Sequence, residues 1–165
     1  MKLLYFIPKP ETAADCKEMY RKLSMQHHPD RPTGDTETMK QVNNEFDYLW
    51  SQVKNIYVNS KGETYNKETE ETAEEFRNII NQIIYHQHVK IEIIGSFIWI
   101  HGETKHYKEI YKTLGFKWST NKCAWYKPPA GYRKASRKDW SLDDIRNRFD
   151  SETIENKERD KVSAA

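Results

Sequence analysis

Cysteine is nearly absent: Cys16 and Cys123 are the only two in 165 residues, and neither belongs to a CxxC pair. That excludes a disulfide framework and a cysteine-based zinc site as organising devices. Long apolar runs are missing too. No stretch approaches the roughly 18 apolar residues that span a bilayer. The opening MKLLYFIPKPE carries a short apolar piece, but Pro8, Pro10 and Glu11 cut it before a signal-peptide core forms. The expectation is a cytoplasmic protein with no membrane partner. No phosphate-cradling glycine loop and no catalytic triad is legible. His86, His88, His101 and His106 match no metal-ligand spacing, and no acidic or cysteine partner completes a set, so neither metal nor cofactor is expected. A strong excess of one charge is lacking as well: the formal net charge is +2, so only the distribution of charge can point to a partner.

What is present is aromatic and polar. Apolar residues make up 36% and charged residues 32%, a polar but globular composition. Five Trp and ten Tyr require a core that is partly aromatic. The length suits one or two small domains, and no internal repeat is visible.

Ala13, Cys16, Tyr20, Leu23 and His27 recur in steps of three and four, one face of a helix over about residues 11–26. Acidic residues sit in its first turns and Lys17, Arg21 and Lys22 follow, which complements the helix dipole. Pro29 ends it, because the residue before a proline avoids the α region. HPDRPTGD then reads as a loop. Met39, Val42, Phe46, Leu49 and Val53 form the stripe of a second helix over 36–54. Two such helices joined by a short loop pack antiparallel, and Leu3, Leu4 and Phe6 are placed to cover one end. Residues 56–68 read as a linker. A third helix is expected over 69–86, with Phe76, Ile79, Ile80, Ile83 and Ile84 inward.

The period then changes to two. Residues 90–94 and 97–101 form a hairpin around Gly95-Ser96. Residues 103–114 are helical, with Gly115 as a left-handed C-terminal cap. Residues 116–120 and 123–127 form a second hairpin around Asn121-Lys122, which sets Trp118 opposite Trp125. Ser141 and Asp144 mark the start of a short helix, followed by a frayed tail. The fold class is α+β: an antiparallel helical hairpin over 1–55, the linker, a helix and a small ββαββ unit over 69–140, and a short helix with a flexible tail over 141–165.

The stretch MYRKLSMQHHPDRPTGDTETMKQVNNEFDYL resembles the J-domain of DnaJ-like proteins. The matching positions are Tyr20, Arg21, Lys22, Leu23, His28-Pro29-Asp30, Gly34-Asp35, Met39, Val42-Asn43, Phe46 and Leu49. The tripeptide alone recurs by chance in unrelated chains, and its flanks carry the weight. Two departures stand out: only MKLLYF remains where the family has a first helix, and no fourth helix is legible. The resemblance implies a monomeric co-chaperone that is not itself an enzyme and stimulates the ATPase of a DnaK-type chaperone. His28, Pro29 and Asp30 would form the docking loop, with Lys17, Arg21, Lys22 and Arg31 as its positive surroundings. Asp30 suits a charge-assisted pair with a partner arginine.

From Glu103 to Asp139, ten Lys or Arg residues face only three acidic ones, interleaved with Trp118, Trp125, Tyr126 and Tyr132. Cations track phosphates and flat rings stack on unpaired bases. This makes Lys117, Trp118, Lys122, Trp125, Tyr126, Lys127, Arg133 and Lys134 candidates for binding single-stranded nucleic acid. The same rings also serve as the core of a small sheet with a solvated lysine face, and the sequence leaves both readings open. KTLGFKWSTNKCAWYKPP resembles a small module of plasmid- and phage-borne proteins, and its linkage to the HPD hairpin is similar to uncharacterised J-domain-containing proteins of phages and gut bacteria. An accessory nucleic-acid-binding protein of a mobile element is therefore the alternative function.

Overall fold

The computed structural model describes residues 1–59, 61–129, 140–149 and 153–155. Helices come first. Thr12 caps α1 (Ala13–His27), its hydroxyl accepting from the Asp15 N–H at 3.1 Å. Asp35 does the same for α2 (Thr36–Val53), accepting from the Thr38 N–H at 2.9 Å. His28 leaves the helix with ψ 136, the extended conformation its proline neighbour demands. The two helices run antiparallel: Lys17 lies over Trp50, Tyr20 against Phe46, and the Asp35 N–H donates to the His27 carbonyl. Phe46 sits among Tyr20, Trp50 and Phe76, with ring centroids 4.5, 5.9 and 5.6 Å away. Each such buried ring contributes on the order of 2–3 kcal/mol.

Residues 1–12 form no helix. Residues 4–6 are held instead by Glu45, fully buried on α2. Its carboxylate accepts from the N–H groups of Leu4, Tyr5 and Phe6 at 2.8, 3.0 and 3.2 Å, and from the Gln41 amide at 3.1 Å. Burial alone raises the Glu45 pKa; the Gln41 and backbone donors outweigh it and hold the group below the usual carboxylate range. Phe6 covers the end of the helix pair as expected, whereas Leu4 points outward, 55% exposed.

Residues 56–68 are more than a linker. Ile56–Val58 (β1) pairs antiparallel with Thr64–Asn66 (β2), Tyr57 opposite Tyr65. The Asn59 side chain accepts from the Lys61 and Glu63 N–H groups, and Gly62 takes a positive φ of 81, so a turn is built where only polarity was visible. The third helix, α3 (Ala73–Ile83), is shorter than the stripe suggested. Thr72 and Glu75 form a reciprocal capping box, which leaves Glu70 and Glu71 outside.

Five strands then form one antiparallel sheet in the order β5-β6-β4-β3-β7. They are β3 (Val89–Ile94), β4 (Phe97–Gly102), β5 (Lys117–Ser119), β6 (Ala124–Lys127) and β7 (Thr153–Glu155). Between β4 and β5 lie a 3₁₀ turn (Lys105–Tyr107) and α4 (Lys108–Thr113), and Gly115 takes φ 90 as a cap should. Trp118 pairs with Trp125 in the expected register. Ser141 caps α5 (Leu142–Phe149), accepting from the Asp144 N–H. The backbone of β7 pairs with the open edge of β3; the rest of the tail expected to be frayed lies outside the described residues.

Alternation gives the sheet two different faces. Val89, Ile91, Ile93, Ile98, Ile100 and Trp125 join the main core with the helices and with Tyr111 and Phe116. Ile94, Trp99 and Ala124 form a second cluster beneath Leu142 and Ile145 of α5. On that second face Glu92 is fully buried and accepts from Arg146 and from His101 at 2.7 Å. Burial opposes its ionisation, but the Arg146 and His101 contacts prevail and draw its pKa down to about 2.

Candidate functional site

The HPD segment leaves α1 and returns to α2 through a tightly closed loop. The Arg31 N–H donates to the His28 carbonyl at 2.9 Å, and the Gly34 N–H to the Arg31 carbonyl at 2.9 Å. Gly34 lies flat against the end of α1. A Cβ at this position would stand 1.7 Å from the His28 carbonyl oxygen, so only glycine allows the close approach. Pro29 and Asp30 are exposed at the tip. His28 is half-buried, its ring edge-on to Tyr85 at 4.7 Å, and its Nδ1 accepts weakly from the Asp30 N–H at 3.4 Å. The rigid loop thus presents a carboxylate outward while the histidine anchors it inward.

The expected positive surroundings are largely corrected. Lys17 is 2% exposed, its Nζ 2.7 Å from Glu71 and packed against the Trp50 and Phe76 rings. Arg21 is fully buried and pairs with Glu18. Arg31 is buried within the loop. The reason is a layer the helical hairpin does not announce: α3 and β3 pack on α1 and cover the face that carries Lys17 and Arg21. Lys22 remains partly exposed. The roles of Gly34, Tyr85 and Glu45 were missed. Gly34 followed by a helix-capping Asp was the available signal, whereas Tyr85 meets His28 only through tertiary packing.

No family model, curated protein or solved structure matches the chain.

In the carboxy-terminal unit the sheet divides the basic and aromatic candidates. Lys117 and Tyr126 are paired neighbours on the face that carries Trp99, whereas Trp118, Trp125 and Lys127 belong to the face towards the core. Trp125 is 6% exposed and Trp118 45%, edge-on at 5.5 Å, so one ring of the pair is core and the other surface. Arg133 and Lys134 lie outside the described residues. A groove of about 660 Å³ opens over the Trp99 face, lined by Lys117, Lys122 and Tyr126, and a second of about 780 Å³ lies beside Trp118 and α4. Phe97, Trp99, Tyr57 and Tyr65, which the sequence reading did not select, also line the first.

His86 and His101 serve structural contacts. His86 stacks on Tyr107 at 3.8 Å and meets the Tyr111 hydroxyl at 2.9 Å; burial pushes its pKa down to about 4. Among the described residues no three His, Cys, Asp or Glu side chains converge as a metal-ligand set. No helix among them is long and apolar enough to cross a membrane.

Proposed function

We propose that this chain is a J-domain-type co-chaperone, monomeric and cytoplasmic, that docks on a DnaK-type chaperone through Pro29 and Asp30 and stimulates its ATP hydrolysis. The observation that carries the reading is the exposed Asp30 carboxylate on a loop closed by Gly34 against the His28 carbonyl. The J-domain pattern also converges in space: the Tyr20 hydroxyl donates to Asn43 at 2.9 Å, and Tyr20, Phe46 and Leu49 share one core. The buried Glu45 clamp supports the hairpin where the family has a first helix.

In this reading Asp30 forms a charge-assisted, bidentate pair with a chaperone arginine. Pro29 fixes the loop backbone, so little conformational freedom is lost on docking. Lys17 and Arg21 take no part; Lys22, partly exposed, adds positive charge towards an acidic surface. The chain performs no covalent chemistry. It acts by binding the hydrolysing state of its partner more tightly than the other state. The ββαββ unit selects clients or localises the protein. Steady-state ATPase of the cognate DnaK-type chaperone, with wild type and Asp30→Asn in parallel, tests this. Stimulation by wild type and its loss in the variant are expected; no stimulation by wild type overturns the reading.

A further inference from the structure

The groove over the Trp99 face is built from parts far apart in sequence. The β1–β2 hairpin contributes Tyr57 and Tyr65, the edge strand β5 contributes Lys117, and the turn between β5 and β6 contributes Lys122. Its central rings are arranged as a platform. Phe97 and Tyr126 are half-buried, with planes 19° apart and centroids 6.5 Å apart, and Trp99 lies at 15° to Phe97 and 34° to Tyr126. Trp99 is 5% exposed and forms the floor. Tyr65, 45% exposed, stands over the hairpin side of the groove.

The charge around this platform has one sign in excess. Among the described residues Lys67, Lys117 and Lys122 line it against a single carboxylate, Glu68. Lys122 reaches across the floor, its Nζ 5.9 Å from the Trp99 ring centroid. Near-parallel rings suit flat unpaired bases, and cations at the margin suit the phosphates between them. The second groove has Lys105, Lys108 and Lys112, but among the described residues Trp118 is its single exposed Trp, Tyr or Phe ring. It carries charge without a platform.

We propose that the groove over Trp99 binds single-stranded nucleic acid, with bases on Phe97, Tyr126 and Tyr65 and phosphates on Lys67, Lys117 and Lys122. This site is separate from the Asp30 loop and does not depend on the co-chaperone reading. Base stacking is tolerant of sequence, so the groove accepts DNA or RNA strands of any composition.

The test is fluorescence anisotropy of the full chain with labelled oligothymidylate and oligouridylate of about 12 nucleotides, each at about 50 and 200 mM salt. Wild type binds at least one of the two, with a salt slope of about −2 for three lysine–phosphate contacts. Lys117→Gln with Lys122→Gln leaves a slope of about −0.7. Phe97→Leu keeps the apolar cover, removes the stacking face and weakens binding roughly ten-fold. Trp118→Ala and Lys108→Gln, at the other groove, leave affinity within about two-fold, and Asp30→Asn changes nothing. Circular dichroism confirms that each variant folds. Two results overturn the proposal: no salt-sensitive binding of either strand by wild type, or a loss that follows Trp118→Ala and Lys108→Gln while Phe97→Leu and the double lysine variant bind normally. The comparison of the two strands decides between DNA and RNA as the source.

Discussion

Replacing Gly34 with alanine strikes the HPD loop without touching its exposed residues. The added Cβ stands 1.7 Å from the His28 carbonyl oxygen and 2.4 Å from its carbon, both backbone atoms that cannot swing aside. The loop must open by about 1.3 Å merely to bring the first contact to 3.0 Å, the shortest that real Cβ atoms tolerate. That movement loosens three short backbone bonds: Arg31 to His28, Gly34 to Arg31, and Asp35 to His27. Overpacking of this kind costs about 1–3 kcal/mol. Alanine also stiffens the unfolded chain, but that gain is below about 1 kcal/mol and does not offset the clash. For a chain of this size the melting temperature should fall on the order of 5 °C. Far-UV circular dichroism should retain the helices, since Gly34 lies outside both. Chaperone stimulation should fall further than the loss of folded protein explains, because the His28–Asp30 backbone is displaced. If Gly34→Ala melts within about 1 °C of wild type and stimulates fully, the loop does not owe its shape to this contact.

Three further outcomes are expected. Glu45→Ala leaves the Leu4, Tyr5 and Phe6 donors without their acceptor and should cost about 2–4 kcal/mol in urea unfolding, with Glu45→Gln between it and wild type. Because the folded Glu45 pKa is depressed, its contribution is complete above the ordinary carboxylate range and vanishes as pH falls through the folded value; the wild-type decline in acid should be shallower in Glu45→Gln. Arg146→Ala strands the buried Glu92 beside His101 and should cost about 2–4 kcal/mol by thermal melting; Glu92 itself contributes above the usual carboxylate range and loses that contribution as pH falls towards about 2. Trp125→Ala should cost about 3–5 kcal/mol while Trp118→Ala costs less than about 1, since one ring is core and the other 45% exposed; equal losses would contradict the placement of Trp125 in the core and Trp118 at the surface.

The parts legible in the sequence are those set by local rules. Periodicity placed α1 and α2 because Tyr20 and Phe46 lie on stripes that meet each other. Pro29, Gly115 and Ser141 marked ends that chain stereochemistry dictates. Gly95-Ser96 and the Trp118–Trp125 register followed from alternation. What escaped depends on neighbours distant in sequence. Lys17 and Arg21 look like a solvated helix face until α3 and β3 cover it and Glu71 meets Lys17. Glu45 looks like any surface acid on a helix, yet it gathers three N–H groups some 40 residues away. β7 is three residues that acquire meaning only beside the open edge of β3. Phe97 and Trp99 come to share a face with Tyr126 and Lys117 only once β4 lies beside β6 and β6 beside β5.

The most direct measurement is single-turnover hydrolysis of ATP preloaded on the cognate DnaK-type chaperone, with wild type, Asp30→Asn and Lys17→Met added in turn. Wild type should accelerate hydrolysis, Asp30→Asn should not, and Lys17→Met should act as wild type wherever it remains folded, because Lys17 is buried against Glu71 rather than offered to the partner. Acceleration that survives Asp30→Asn, or none with wild type, contradicts docking through the Asp30 loop.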